Sequence, residues 1–111
     1  MKRHRLAVSR RAERDGDVIF NWLAERSPDG AANWYRALCD LLESLTENPE
    51  RHALASESGF FAREIRQGLF KTRHGRMYRV LFAVSDEIVE VLAVRGVGQD
   101  FVRAEDLELP H

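Results

Sequence analysis

Residues 77–95 read MYRVLFAVSDEIVEVLAVR, and this stretch is the most informative about the architecture. Residues 78–82 and 88–94 are two runs rich in β-branched and aromatic residues, separated by a tight polar loop. Such a pair of runs predicts an antiparallel β-hairpin. An earlier run, bounded by turn residues, covers residues 62–70 and predicts a third strand, so the C-terminal half should form a short meander.

Upstream of the meander, two segments carry apolar residues at helical spacing. Residues 12–24 form the first segment, and Ser9 is placed to cap its N-terminus. Residues 31–45 form the second, preceded by Ser27 as a cap and Pro28 at the first helical position. The short link between them predicts an antiparallel helical hairpin whose apolar stripes face each other.

The N-terminus adds one more element. Residues 3–8 alternate, with Leu6 and Val8 on one side, as a half-buried strand would. One strand, two helices and then several strands predict an α+β domain: an N-terminal strand and an antiparallel two-helix hairpin packed on a small antiparallel β-sheet. Residues 50–59 are predicted to be a polar connection between the two halves.

Length and composition limit the class of protein. The chain has 111 residues, of which 44% are hydrophobic and 32% charged, so residues 1–111 are predicted to form one ordinary globular domain. No run approaches the ~20 apolar residues of a membrane helix, and the basic residues 1–14 lack the apolar run of a signal peptide. We therefore expect a cytoplasmic protein without membrane association. The single cysteine, Cys39, lies in an apolar helical pattern and is expected to be a buried structural thiol.

The charges are segregated along the chain, although the net charge is only −1. Residues 1–14 and 63–79 each carry six basic and one acidic residue, whereas residues 15–62 and 80–111 are acidic. This pattern can give a dipolar surface that attracts a polyanion or an acidic peptide.

Basic residues are concentrated around the predicted central strands. Residues two apart on a strand share a face, so these cations could converge on one side of the sheet and bind phosphate. Alternatively, each arginine pairs with an acid from a neighbouring block. The candidate phosphate-binding or target-binding residues are Arg63, Arg66, Lys71, Arg73, Arg76, Arg79 and Arg95. The four histidines are scattered without metal-ligand spacing and there is no glycine-rich phosphate loop, so we expect neither a metal nor another cofactor.

Five segments in order carry a resemblance to a known family. They are RAERD at residues 11–15, WLAERSP at 22–28, IRQ at 65–67, YRVLF at 78–82 and VLAVR at 91–95. With the order of predicted elements, they resemble the RelE/ParE superfamily of bacterial type II toxin–antitoxin toxins over essentially the whole chain. The resemblance implies two helices on a small antiparallel sheet, a hetero-oligomer with a cognate antitoxin, and a part in plasmid stabilisation.

The superfamily divides by target. Toxins of the RelE branch cleave messenger RNA in the ribosomal A site, and a resemblance to that branch would imply the same activity here. They use strand cations, the arginine of a Tyr-Arg pair, and a later arginine and tyrosine. Arg79 matches the arginine of the pair. When the RelE pattern is aligned without gaps from Tyr78-Arg79, its other residues are not matched. The two strand lysines fall on Phe70 and Thr72, the later arginine on Gln99 and the late tyrosine on Glu105.

These departures favour the ParE branch, which inhibits DNA gyrase and needs no nuclease site. No tyrosine follows Tyr78, and no histidine lies near the end of the sheet to replace it as a general base. The preferred hypothesis is a ParE-like gyrase inhibitor that is not an enzyme. The alternative is a ribosome-dependent mRNA endonuclease with Arg79 as its catalytic residue, and a more remote one is a non-toxic binding module.

The antitoxin is expected to bind through a C-terminal segment that lies along the domain as a helix or an added strand. Its acidic side chains are expected to face residues 63–79, because disordered segments that fold on binding combine apolar and charged contacts. Trp22, Trp34 and Phe101 are the candidate apolar contacts.

Overall fold

The computed structural model describes residues 3–72 and 76–96. The helices and strands follow in the order β1 (Arg5–Val8), α1 (Arg10–Arg26), α2 (Pro28–Ser44), β2 (Arg66–Lys71), β3 (Met77–Ser85) and β4 (Ile88–Gly96). Two short 3₁₀ helices, Pro49–Arg51 and Ser56–Phe60, lie between α2 and β2. The predicted α+β class is confirmed, with the helical hairpin before the meander.

The four strands form one sheet in the order β1-β4-β3-β2. Strands β2, β3 and β4 are antiparallel neighbours, as the meander requires. Strand β1 pairs with β4 in parallel, so the sheet is mixed rather than wholly antiparallel. Parallel neighbours need a long crossover, and here the helical hairpin is part of it.

Both helices begin at the predicted caps. The Oγ of Ser9 accepts a hydrogen bond from the backbone N–H of Ala12, and the Oγ of Ser27 accepts one from Gly30, each at 3.0 Å. These bonds satisfy helix N–H groups that have no partner within the helix. Ser27 is also the C-cap residue of α1, so one residue forms the whole link between the helices.

The main core lies between the helical hairpin and one face of the sheet. Its buried side chains include Trp34 and Leu38 of α2 and Leu45, the residue that follows α2. They pack with strand residues such as Val80 and Phe82. Helix α2 lies very close to the edge strand β2, because a Cβ on Gly68 would lie 3.1 Å from a methyl of Leu41. The predicted facing stripes therefore also face the sheet.

The connection between α2 and β2 covers the other face of the sheet. Its Ala55 and Ile65 are buried there with Leu81 and Leu92 of the central strands. The β3–β4 register shifts between Leu81 and Phe82, and Leu92 is the extra residue in β4. At this bulge the alternation of β4 is interrupted, and the consecutive residues Leu92 and Ala93 both lie in the layer under the connection.

Three expectations about local structure were wrong. The third strand begins at Arg66 and not at residue 62, because the backbone of Ile65 bonds to Ser58 Oγ and to Ala55 in the connection. Strand β1 is exposed rather than half-buried, since it lies at an edge of the sheet. Cys39 is exposed on α2 rather than buried.

Within the described ranges, neither α-helix is long and apolar enough to cross a membrane.

Candidate functional site

The arginines at the start of the basic block are held by nearby acceptors. Arg63 donates from both terminal nitrogens to the carboxylate of Glu90, at 3.2 and 3.0 Å. Arg66 donates from Nη1 to the backbone carbonyls of Glu50 and His52, at 3.1 and 2.7 Å. Both side chains therefore tie the connection to the sheet instead of projecting toward a ligand.

Arg79 is buried on the sheet face that the connection covers. Its two terminal nitrogens donate to Glu57 Oε1 at 2.8 Å and Oε2 at 2.5 Å, and Gln67 Oε1 lies 3.5 Å from Nη1. Glu57 is 0% exposed and Arg79 8% exposed. A bidentate carboxylate satisfies a guanidinium group in the geometry that a phosphate would use.

The other basic candidates are spread over the same end of the sheet. Arg95 is half-buried and is the cross-strand partner of Arg79. Lys71 and Arg76 are exposed, and neither forms an ion pair with another described residue. Arg73 lies outside the described residues.

The expected convergence of cations on one site is therefore not observed in the described part of the chain. Three of the seven candidates, Arg63, Arg66 and Arg79, have carboxylate partners, and Arg66 also donates to backbone carbonyls. A polyanion would have to displace these partners, and phosphate binding by the three arginines stays a prediction. Lys71 and Arg76 stay candidates.

The tyrosine of the Tyr-Arg pair belongs to an aromatic cluster. The ring of Tyr78 stacks on Phe70 with centroids 5.5 Å apart and meets Trp34 edge-on at 5.7 Å. Trp34 is 1% exposed and belongs to the core, although it also lines a cavity beside the helical hairpin, and its role as an antitoxin contact stays a prediction. The 3.6-residue period identified its stripe but could not tell which stripe residues lie deepest.

The remaining antitoxin-contact candidates differ in their surroundings. Trp22 is 51% exposed on α1, and the guanidinium carbon of Arg26 lies 3.7 Å from the centroid of its indole ring. This cation–π contact covers one face of the ring. Phe101 lies outside the described residues.

One histidine of the connection is placed where it stays neutral. The ring of His52 meets Phe82 edge-on at 5.7 Å. Burial lowers the pKa of His52, and the charges of Arg51 and Arg66 lower it further. Within the described residues, no group of three or more His, Cys, Asp or Glu side chains could hold a metal ion.

An apolar trough lies between β1 and the helical hairpin, on the side of the sheet that the helices cover. We call it the β1 groove. It consists of a cavity of about 580 Å³ and an adjoining one of about 480 Å³, which share Leu42. The β1 groove is lined by apolar or small residues, by three acidic residues and by two basic ones. They include Leu6, Val8, Ala12, Gly16, Phe20, Trp34, Tyr35, Leu38, Cys39 and Leu42, the acidic Glu13, Asp17 and Glu43, and the basic Arg3 and His4.

The sequence contained a signal for this groove that the periodicity argument did not use. Phe20 is not part of the predicted apolar stripe of the first helix, whereas Tyr35 is part of that of the second but is exposed, and their rings meet edge-on with centroids 6.1 Å apart. Apolar side chains on each helix therefore extend beyond its buried residues. Apolar residues beyond the width of one core-facing stripe are a sign of an interaction surface.

The fold is similar to one that has been solved in a toxin–antitoxin system. A solved structure described as "Chromosomal ParDE TA system from P. aeruginosa" matches with a TM-score of 0.66 and 18% sequence identity. The match covers 85% of this chain and 96% of that chain. At this identity the likeness establishes the fold. The comparison with curated proteins finds no significant match.

The sequence identifies the family. The profile of the family described as "ParE toxin of type II toxin-antitoxin system, parDE" matches residues 6–101. The chain therefore belongs to the ParE toxin family. The predicted RelE/ParE resemblance, and its ParE branch in particular, is confirmed.

Proposed function

We propose that this protein is a single-domain toxin that acts in the cytoplasm by inhibiting DNA gyrase, and that a cognate antitoxin neutralises it. Membership of the ParE family supports the toxin–antitoxin part of this proposal. The choice of gyrase over the ribosome depends on whether the chain offers the groups needed to cleave RNA.

The observation that carries this choice is the buried Glu57–Arg79 pair. In-line cleavage of RNA needs a base for the 2′-hydroxyl, charge stabilisation at phosphorus and an acid for the leaving oxygen. Arg79 is the one residue that matches the nuclease set, and both of its terminal nitrogens are bonded to Glu57. It can therefore stabilise a scissile phosphate only if it loses this partner.

The groups for proton transfer are equally poorly placed. A lysine acts as a base at neutral pH when burial strips water from its ammonium group, and Lys71 is exposed. The ring of Tyr78 lies in the aromatic cluster with Phe70 and Trp34. No tyrosine follows it in the sequence. A toxin that works by binding its target needs none of these groups.

The experiment compares both targets with the same purified protein, freed from its antitoxin. We expect inhibition of gyrase supercoiling, or trapping of cleaved DNA, and no A-site cleavage of messenger RNA on translating ribosomes. The control is the double variant Glu57→Leu/Arg79→Met, which removes the buried pair without leaving an unpaired charge. It should inhibit gyrase as the unmodified chain does.

A-site cleavage by the unmodified chain, lost in this double variant, would contradict the proposal if gyrase stayed fully active. It would instead assign Arg79 a catalytic role and the protein a ribosome-dependent endonuclease activity.

The antitoxin partner is supported by the exposed apolar surface on the helical side of the molecule. Leu6, Val8, Phe20 and Tyr35 are exposed large apolar side chains that border one trough. Contiguous apolar surface on a small protein marks a site of interaction. The expectation that acidic antitoxin side chains face residues 63–79 stays a prediction, and Lys71 and Arg76 are the residues of this block that form no ion pair within the described part of the chain.

A further inference from the structure

The connection between α2 and β2 leaves one end of the sheet face beneath it exposed. Leu69 of β2 is the register partner of Arg79, and Lys71 is that of Met77. Residues paired in register share a face, so these side chains lie on the face that the connection covers farther along the strands. Arg95 of β4 pairs with Arg79 and is half-buried on the same face. We call Leu69, Lys71, Met77 and Arg95 the open sheet face.

The open sheet face presents large apolar side chains to solvent. Leu69 is 50% and Met77 37% exposed. Phe60, which is 74% exposed, ends the 3₁₀ helix that contains Glu57, the partner of Arg79. Since such a helix rises ~2 Å per residue, the backbone of Phe60 is only about 6 Å along the helix from that of Glu57. Apolar side chains exposed close together, rather than singly, mark an interaction site.

The charge at this end of the sheet is positive. Residues 65–84, which contain β2 and β3, include no aspartate or glutamate. The carboxylate of Glu57 reaches this end of the sheet, and both of its oxygens are bonded to Arg79. Lys71 and Arg76 are exposed and form no ion pair with another described residue. An excess of positive charge attracts an acidic partner and repels a basic one.

The mixture of apolar and basic residues favours a protein partner over a nucleic acid. Affinity for nucleic acids comes mainly from cations on phosphates and from aromatic rings on which bases stack. Leu69 and Met77 have no ring, and their burial is favourable against apolar side chains of another protein. Methionine and arginine are also enriched in protein interfaces.

We infer that the protein target of this toxin docks on the open sheet face through a segment that combines acidic with apolar side chains. Its acidic groups face Lys71 and Arg95, and its apolar side chains pack on Leu69 and Met77. This inference rests on the proposed function, in which the target is gyrase, and specifies the surface that holds it. The bond to Glu57 neutralises Arg79, so the target meets the outer cations without having to satisfy a buried one.

Substitution of the apolar residues tests this surface. The probe is purified gyrase, and the readouts are calorimetric binding and inhibition of supercoiling by the toxin freed from its antitoxin. Leu69→Asp places a carboxylate among the apolar contacts and should weaken both about 100-fold. The matched control is Val18→Asp, the same kind of change at a position of α1 that is 69% exposed. It should alter both less than about twofold.

Met77→Ser provides a second apolar position that leaves the charge of the surface unchanged. It should weaken gyrase binding about tenfold, because the contact loses apolar area. Thermal denaturation followed by circular dichroism should show that each variant keeps its fold. If Leu69→Asp unfolds, the serine variant decides the outcome.

The charge of the target segment is tested at Lys71. Lys71→Glu should weaken gyrase binding about tenfold at low salt and less at high salt. The matched control is Arg36→Glu on an exposed position of α2, which should have little effect. Tighter binding of Lys71→Glu would indicate a basic target segment and overturn the assignment of an acidic one.

The remaining outcomes separate this inference from the proposed function. Unchanged gyrase inhibition by Leu69→Asp, Met77→Ser and Lys71→Glu would overturn the docking surface and leave gyrase as the target. Loss of binding to the product of the adjacent reading frame, with inhibition unchanged, would assign the surface to the antitoxin instead. No gyrase inhibition by the unmodified chain would overturn the proposed function as well.

A short DNA duplex without gyrase tests the nucleic-acid alternative. The unmodified chain should not bind it at concentrations that inhibit supercoiling. Binding that Lys71→Glu abolishes and Leu69→Asp retains would overturn a protein partner in favour of DNA.

Discussion

Glu57 and Arg79 are the charged residues that are buried in the described part of the protein. Each would lose much of its solvation free energy on folding if it were alone, so each depends on the other. The pair joins the second 3₁₀ helix to β3, across 22 residues of sequence. The pair therefore holds the connection on the sheet. It also engages Arg79, the one arginine that matches the residues of the RelE-like nucleases.

Removing one member should be costly. Glu57→Gln keeps the shape of the side chain but leaves the guanidinium of Arg79 buried without a counter-charge. We expect the free energy of unfolding to fall by about 3–5 kcal/mol. Urea denaturation followed by circular dichroism measures this change.

The control is Glu57→Leu/Arg79→Met, which replaces both charges by apolar groups. Its free energy of unfolding should stay within about 1–2 kcal/mol of the unmodified value or exceed it. A loss below about 1 kcal/mol in Glu57→Gln would show that water or another residue compensates Arg79, and the pair would then not hold the connection.

The helical hairpin depends on Ser27, which ends α1 and begins α2. Its N–H donates to the carbonyl of Leu23 at 2.7 Å, and its Oγ accepts from the N–H of Gly30 at 3.0 Å. Pro28 follows, in the position where a missing N–H costs nothing. The turn is thus specified by residues that are adjacent in sequence.

Ser27→Ala should remove the cap and lower the free energy of unfolding by about 1 kcal/mol, because the N–H of Gly30 loses its acceptor. Ser27→Asp should restore most of this loss, since a carboxylate accepts the same bond and is favourable at a helix N-terminus. Chemical denaturation of the three proteins provides the comparison. Equal stability of the alanine and aspartate variants would show that the cap bond does not contribute.

For the whole molecule, the packing of the helices on the sheet depends on a close approach at Gly68. A Cβ there would lie 3.1 and 3.3 Å from the two methyls of Leu41 and 3.4 Å from a methyl of Leu45. The absence of a side chain in β2 therefore sets the distance between this strand and α2. Dense interiors resist added volume, because neighbours must leave their preferred rotamers.

Gly68→Val should separate α2 from β2 and lower the free energy of unfolding by about 1–3 kcal/mol. Adding Leu41→Ala removes the methyls that the new side chain meets, so the double variant should lose less than the two single variants together. A double-mutant cycle by urea denaturation measures this coupling. If the losses in free energy of unfolding were strictly additive, Leu41 would move aside freely, and Gly68 would not set the distance between α2 and β2.

Much of the fold was predictable because its signals are local. The helical stripes, the caps at Ser9 and Ser27 and the β3–β4 hairpin all depend on residues within a few positions of one another, and each is observed. The order of the elements, which resembles that of the RelE/ParE superfamily, was predictable for the same reason. The ParE family membership then follows from the sequence.

The candidate site was far less predictable, because it depends on residues that only the tertiary structure brings together. Arg63 meets Glu90 across 27 positions, and the basic block gave no indication of which carboxylates would neutralise it. The parallel pairing of β1 with β4 depends on the whole intervening chain. Alternation in residues 3–8 predicted a strand but not its place at an edge.

The amino-acid sequence by itself determined the elements, their order and the family, since neighbouring residues set local backbone preference and the period of the apolar pattern. The tertiary structure alone decided which cations are engaged and where apolar surface remains exposed. The physical reason is that ion pairing and burial depend on distances between atoms far apart in the chain. Those distances place the carboxylate of Glu57 against Arg79 and leave Leu6 and Val8 exposed at an edge of the sheet.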